Sequence, residues 1–440
     1  MRPGPASVLL LLGLLASWAG PVPAQEPIRL SLEEALDRAA TRSPAARAAR
    51  WEREAREADA LGASAAFLPQ LGAELGGLRT DDPVAVFGTK LRQGRFGQAD
   101  FAIDALNFPA PVTDVSTTLS IEQPVFQPMA LSGRRAARAG ARAARLGQER
   151  TAQVVAFEVL RAYYGVRLAA DRVAVLQESL DAAGETLAQV EKLRREGVVT
   201  VVDGQLARSR VSELAAAMAS AQAAATAQTD LLLHLLGENP GRAVVLTDSL
   251  ALTDAEAPDS LERADLAALR AGLQTQEANV LRARSQWLPA VGAFGNLGWH
   301  DDDLGVANGP RHWTAGVVVR WSPFRGLSDV GMLRRAQAER EAARAELEAA
   351  ERRARAETRA AEAEREAARA GFAAADAALA QASQAARAAS SRYAEGAAII
   401  TELLAIRAAE SSQRLARLQA LYQARVADAA LVLALGGTPR

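Results

Sequence analysis

Phe67-Leu68-Pro69-Gln70-Leu71 returns later in the chain as Trp287-Leu288-Pro289-Ala290-Val291, an offset of 220 residues from Pro69 to Pro289. Three further landmarks follow each copy in the same order. Pro124-Val125-Phe126 is matched by Ser322-Pro323-Phe324, and both are followed by Arg/Ala-rich runs. Glu196-Gly197-Val198-Val199 is matched by Glu395-Gly396-Ala397-Ala398, and Leu235-Leu236-Gly237 by Ala434-Leu435-Gly436, now at an offset of 199 (Gly197 to Gly396). A repeat this long is a duplicated architectural unit, not a short solenoid repeat.

At each Leu-Pro landmark the hydrophobic period changes from helical to two. Phe67, Leu71, Ala73 and Leu75 alternate with Gln70, Gly72 and Glu74, and Leu119 and Ile121 with Thr118, Ser120 and Glu122. Later, Val291, Ala293, Leu297 and Trp299 oppose Ala290, Gly292 and Asn296. Trp313, Ala315, Val317, Val319 and Trp321 oppose Thr314, Gly316 and Arg320. This predicts four strands of roughly ten residues, the length that crosses an outer membrane at a tilt. Phe67, Trp287, Trp299, Trp313 and Trp321 lie where such strands meet the membrane interface, which amphipathic rings favour. Residues 81–116 join the first pair of strands and 300–312 the second. The first loop is longer by the difference between the two offsets and carries the sheet's long external connection. His300-Asp301-Asp302-Asp303 offers oxygen ligands but reads as a solvated acidic loop, so no metal is expected.

The remainder is helical. Ser31 to Ala66 opens on Ser31-Leu32-Glu33-Glu34, the capping-box pattern. No proline interrupts Met129 to Glu196 or Leu327 to Glu395. Val173, Leu176, Leu180, Ala183, Leu187 and Val190 form a heptad seam, and Glu348 to Arg352 and Glu351 to Arg355 are favourable pairs one turn apart. Each such helix would be roughly 100 Å long, which demands a coiled coil or a helical tube. Gly197 and Gly396 then turn the chain into a second long helix, giving two helical hairpins.

Met1-Arg2, an apolar core from Val8 to Ala19 and Val22-Pro23-Ala24 describe an export signal over residues 1–24. The first repeat then covers 25–240 with its tip near 197, a linker 241–260, and the second repeat 261–440 with its tip near 396. No later stretch is apolar enough for a spanning helix, so a membrane passage must use strands. Cysteine is absent and net charge is −1, which removes thiol chemistry and argues against a nucleic-acid partner. His234, His300 and His312 read as isolated, with His234 in a buried helical position. No catalytic set and no cofactor motif emerges, so no enzyme is expected. Four strands cannot close a barrel alone, and an open edge in lipid is forbidden, so several chains must share one barrel. A barrel above eight strands encloses water, and the helices continue it into the periplasm as a conduit.

Over its whole mature length the chain resembles the TolC family of outer membrane efflux proteins. The resemblance rests on the duplicated strand–strand–helix–turn–helix unit, the two Leu-Pro strand starts and Gln123-Pro124-Val125-Phe126. Arg392-Tyr393-Ala394-Glu395-Gly396 and the Leu-Gly ending of each half add to it. It implies an α+β membrane protein of the Gram-negative outer membrane: a homotrimer with a twelve-stranded β-barrel continued by a periplasmic α-barrel of coiled hairpins. It implies a passive exit duct for tripartite efflux or type I secretion, partnered by a periplasmic adaptor protein, an inner-membrane transporter and outer-membrane lipid. It also implies docking at the hairpin tips, Gly197, Val198, Gly396 and Ala397, and a periplasmic gate formed by Asp203, Glu402, Ile399 and Leu403. Where the family prototype has a second acid and a basic residue, this chain has Ala405 and Ala398, so closure falls to Ile399, Ile400, Leu403 and Leu404. The alternative is an exported coiled-coil adaptor or scaffold with no pore, though adaptors usually carry one hairpin per chain.

Overall fold

The computed structural model describes residues 27–252, 262–303, 307 and 309–440. The export signal and part of the expected linker lie outside the described residues. The chain divides into two compact units. The first holds residues up to Arg47, Ala152–Asp259 and Thr358–Arg440. The second holds Ala48–Thr151 and Ser260–Glu357.

The elements are β1 (Ile28–Leu30), α1 (Leu32–Arg42), α2 (Pro44–Gly62), β2 (Gln70–Thr80), α3 (Pro83–Arg92), α4 (Ile103–Asn107), β3 (Val112–Phe126) and α5 (Pro128–Arg195). Then follow α6 (Val201–Leu235), β4 (Val244–Leu246), α7 (Ala264–Arg284), β5 (Ala290–Asp301), β6 (Arg311–Arg320), α8 (Ser328–Ala394) and α9 (Ile400–Ala434). The expected helices, strands and hairpins occur in order, with β1, α3, α4 and β4 in addition to them. Ser31 caps α1 with the expected box to Glu34. The stretch 31–66 is nevertheless two helices and a turn, because Pro44 cannot continue α1 and pushes Ser43 to an extended ψ of 134°. Phe67 and Trp287 close short 3₁₀ turns ahead of β2 and β5 and are not strand residues.

In the first unit, parallel β1 and β4 pair beside a core built on Leu30, Val159, Leu160, Tyr163, Leu232, Leu233 and Leu236. Tyr163 donates its hydroxyl hydrogen bond to Leu30 O at 3.0 Å, and burial is the main cause that pushes its pKa up to about 12. The heptad seam of α5 packs as spaced: Leu176 and Ala183 meet Leu214, Met218 and Ala221 of α6, with Val173, Leu180 and Leu415 at the margin. Val190 is fully buried further along the seam. His234 is exposed, contrary to the sequence reading; Leu232, Leu233 and Leu236 take the inward positions around it.

In the second unit, β2, β3, β5 and β6 form one antiparallel sheet in that order, so the two strand pairs adjoin through β3 and β5. The strands run 11, 15, 12 and 10 residues. β3 begins at Val112 and β5 reaches Asp301, so the connections are shorter than the expected 81–116 and 300–312. Among the helices of this unit, Arg263 of the turn into α7 bonds Asp265 at 2.7 Å and Glu357 of α8 at 2.9 Å, with Arg150 of α5 at 3.6 Å from Asp265. Glu348 pairs with Arg352 at 3.8 Å as expected. Glu351 instead accepts from Arg270 of α7 at 3.0 Å, because a facing helix offers it a guanidinium.

Two outcomes follow for stability. Gly237 has φ +71°, and a Cβ there would lie 2.6 Å from Arg42 O, so Gly237→Ala should cost at least about 1 kcal/mol. Urea-dependent proteolysis of the purified protein reads this, and wild-type resistance would show that the contact yields freely. Burial is the largest single influence and alone would raise Asp265 and Glu357. The hydrogen bonds and charges of Arg263, joined by the Arg150 charge at Asp265 and by Arg353 at Glu357, together outweigh it and hold both below their ordinary 3.8 and 4.5. Depressed carboxyls stabilise the folded state above their unfolded pKa and lose that contribution as pH falls through the folded one. Unfolding should therefore become easier below those ordinary values and more gradually so in Arg263→Ala, measured by the same assay across pH.

Candidate functional site

The expected function points to two places, the four-stranded sheet and the two hairpin tips. In the sheet, register sorts the side chains by polarity. Leu71, Ile121 and Gly295 share a cross-strand row, as do Ala73, Leu119, Leu297 and Trp313. One step along, on the opposite face, lie Gly72, Ser120, Asn296 and Thr314. The apolar face is left open: Leu71 is 80% exposed, Trp313 73% and Val317 70%. Of the expected interface aromatics, Trp313 and Trp321 are exposed and Phe67, Trp287 and Trp299 half-buried. Arg134 lies over the Phe67 ring, and the Trp321 indole donates to Trp287 O at 3.1 Å.

The polar face also brings together residues that the sequence reading separated. Register sets His300 opposite Ser116 and His312 opposite Gly298. Their rings stack 5.1 Å apart, and His300 Nδ1 lies 2.9 Å from Asp114 Oδ2. Gly298 makes the room, since a Cβ there would meet the His312 ring at 2.4 Å. His300 and His312 are therefore not isolated: a period of two on adjacent strands makes them neighbours. Asp302 is paired with Arg95, and no group of residues suited to a metal ion occurs among the described residues.

The tips are built alike. Gly197 and Gly396 both have φ +74°, a left-handed conformation that glycine adopts without strain. The amide of Val198 donates to Leu193 O at 2.9 Å and that of Ala397 to Arg392 O at 2.8 Å, closing each helix with a Schellman motif. Beyond the glycines the copies part. Thr200 caps α6, and Asp203 Oδ2 accepts from the Thr200 amide and hydroxyl, each at 2.8 Å, so Asp203 serves the helix cap. In α9 the cap position holds Ile399, which has no side-chain acceptor. Glu402, the counterpart of Asp203, instead accepts from Arg392 Nη1 at 2.9 Å, while Arg392 Nη2 donates to Ala397 O at 3.2 Å. One arginine thus ties the end of α8 to the start of α9 and to the turn between them.

The other expected tip residues fall into two groups. Val198 and Ile399 are 68% and 69% exposed, and Ala397 is exposed. Leu403 and Ile400 are buried against Val190, Ala207 and Ala389 inside the first unit. Tyr393 lies beside them, its phenol pushed up first by burial and then by the Asp203 charge. Sequence reasoning missed Glu410, a buried carboxylate that accepts from Arg414 at 3.0 Å in a cleft of about 70 Å³. The signal was present, because Glu410 stands one heptad after Leu403 on the inner face of α9.

The profile of outer membrane efflux proteins matches residues 35–238 and 260–437, both copies of the repeat, so the chain belongs to that family. It is an outer membrane efflux protein of the TolC type and not an enzyme, and the pore-less scaffold alternative is not favoured. No curated protein matches the chain. Solved structures share its fold. The Campylobacter jejuni CmeC outer membrane channel superposes with a TM-score of 0.77 at 18% identity, covering 93% of this chain and 86% of its own. The Vibrio cholerae outer membrane protein VceC gives 0.75 at 20%, covering 93% and 97%. The open state of the Neisseria gonorrhoeae MtrE outer membrane channel gives 0.78 at 20%, covering 93% and 89%.

The tip latch has a measurable consequence. Arg392→Ala removes an ion pair and a loop hydrogen bond together, so a protease should cut between residues 396 and 399 of the solubilised protein faster than in wild type. An unchanged rate would mean that the latch does not hold the turn.

Proposed function

We propose that three copies of this chain assemble a passive exit duct through the outer membrane, gated at its periplasmic helical tips. The observation that carries this reading is the sheet itself. Its apolar face is open, its other face is polar, and among the described residues β2 and β6 each have a neighbour on one side alone. Such a sheet is compatible with lipid only when every edge strand is paired. Pairing β6 of one copy with β2 of the next, three times, closes a barrel of twelve strands with the polar face inward. A barrel of that size encloses water.

The hairpins then carry the gate and the docking surface. Val198, Ala397 and Ile399 present small and apolar exposed surface at the tips, which suits a helical, partly apolar partner such as a periplasmic adaptor bridging to an inner-membrane transporter. Energy for export comes from that transporter. Glu402 offers one carboxylate per copy near the narrow end, and a ring of acids at a constriction selects by charge. The names of the similar structures, which are outer membrane channels, agree with this reading.

Extraction from membranes should give a trimer that dissociates on heating and conducts in planar bilayers, and a non-conducting monomer would overturn the duct. In the conducting trimer Glu402→Ala should shift the reversal potential toward anions, whereas Arg392→Ala, which unmasks Glu402, should shift it toward cations. An unchanged potential in both would place the constriction elsewhere.

A further inference from the structure

The connection between β2 and β3 is longer than its counterpart between β5 and β6, and the excess is folded. Asp82 caps α3 by accepting from the Ala85 amide at 2.8 Å, with Pro83 in the first turn. Phe96 packs edge-on between Phe87 at 4.7 Å and Phe101 at 5.1 Å. Lys90 bonds Asp100 at 2.7 Å, and Asp100 also accepts from the Gly97 amide at 2.8 Å. A long surface connection with its own small core is built to hold a position.

Its anchors show where. Gln93 is 6% exposed, and its Nε2 donates to Thr113 O at 2.8 Å, Asp301 O at 2.9 Å and Asp114 Oδ1 at 3.1 Å. Arg95 adds an ion pair to Asp302. Asp114 and His300, bonded to each other, belong by alternation to the polar face that carries Ser116, Thr118 and Ser120. The connection is therefore pinned to the rim of the sheet beside its polar face, which turns away from lipid.

We infer that residues 81–111 form a folded collar on the lumen side of the outer rim, which narrows the outer mouth and limits the size of solute that passes. The inference rests on the duct reading above. Three copies would set three collars around one opening, and Phe101, Ile103 and Phe108, all exposed, give each collar an apolar edge.

The absence of cysteine makes the test direct. Ser120→Cys places a single thiol on the polar face of β3, and intact cells carrying the full-length protein are treated from outside with a small charged maleimide or a long polyethylene-glycol maleimide. With the collar present, the small reagent labels and the polymer does not. Replacing residues 83–110 by a short Gly-Ser link, or introducing Gln93→Ala into the Ser120→Cys protein, abolishes that exclusion, with the heat-dissociable trimer band as the folding control. Equal labelling by both reagents with the collar intact overturns the inference while leaving the duct standing. Failure of even the small reagent to reach the thiol after the collar is removed overturns the lumen itself, and the collar with it.

Discussion

Unpaired backbone groups cannot be left in lipid, and most of this molecule answers to that constraint. A four-stranded sheet with one apolar face and two open edges is soluble neither in water nor in a bilayer as it stands. The apolar rows through Leu71, Leu119, Leu297 and Trp313 want hydrocarbon, but the edges of β2 and β6 want partners. In the duct proposed above closure satisfies both, with copies of the same chain supplying the strands that one chain lacks. The duplication makes this geometrically simple, since each repeat contributes a strand pair and a helical hairpin of similar length.

The long helices solve a different problem with a related device. Helices of 68 and 67 residues gain little from propensity alone and depend on a continuous packed seam. Small residues keep neighbouring backbones close: Ala183 and Ala221 serve one stretch of the seam, Ala207 and Ala389 the next. Charges on the flanks are then satisfied between helices, as Glu351 and Glu357 are by Arg270 and Arg263. The more exposed Arg270–Glu351 pair contributes little individually and tunes register more than stability, whereas Arg263 is largely buried and its pairs bear on stability as well.

The legible parts of this architecture were those with a strict period. Alternation located β3, β5 and β6 to within a few residues, and the 3–4 spacing of Val173 to Val190 marked a seam that packs as read. The illegible parts depend on contacts between segments distant in sequence. The break at Ser43 was written in Pro44 but overridden in the reading by a strong helical pattern on either side. Nothing local shows that Gln93 will reach Asp114 and Asp301, or that Glu351 will prefer Arg270 to Arg355. His300 and His312 become neighbours only when the register of β5 against β6 is fixed.

The tips show how duplicated sequence acquires unequal roles through one substitution. An acid at the third position of a helix is held by the cap when the cap residue has a hydroxyl, as Thr200 holds Asp203. Ile399 in the equivalent place cannot do so, and its exposed side chain leaves the N-terminus of α9 without a side-chain cap. Glu402 still feels the helix N-terminus, which favours a negative charge there, but its hydrogen-bonding capacity is free to be claimed. Arg392 claims it from the opposite helix and takes the Ala397 carbonyl as well. The first acid thus stabilises its own helix, while the second binds two helices across a turn. A contact between helices is one that a partner pressing on the tip can break, whereas a cap moves with its helix. Under the gating proposed above, the second hairpin is therefore the copy in which docking force would be converted into a change of charge at the opening.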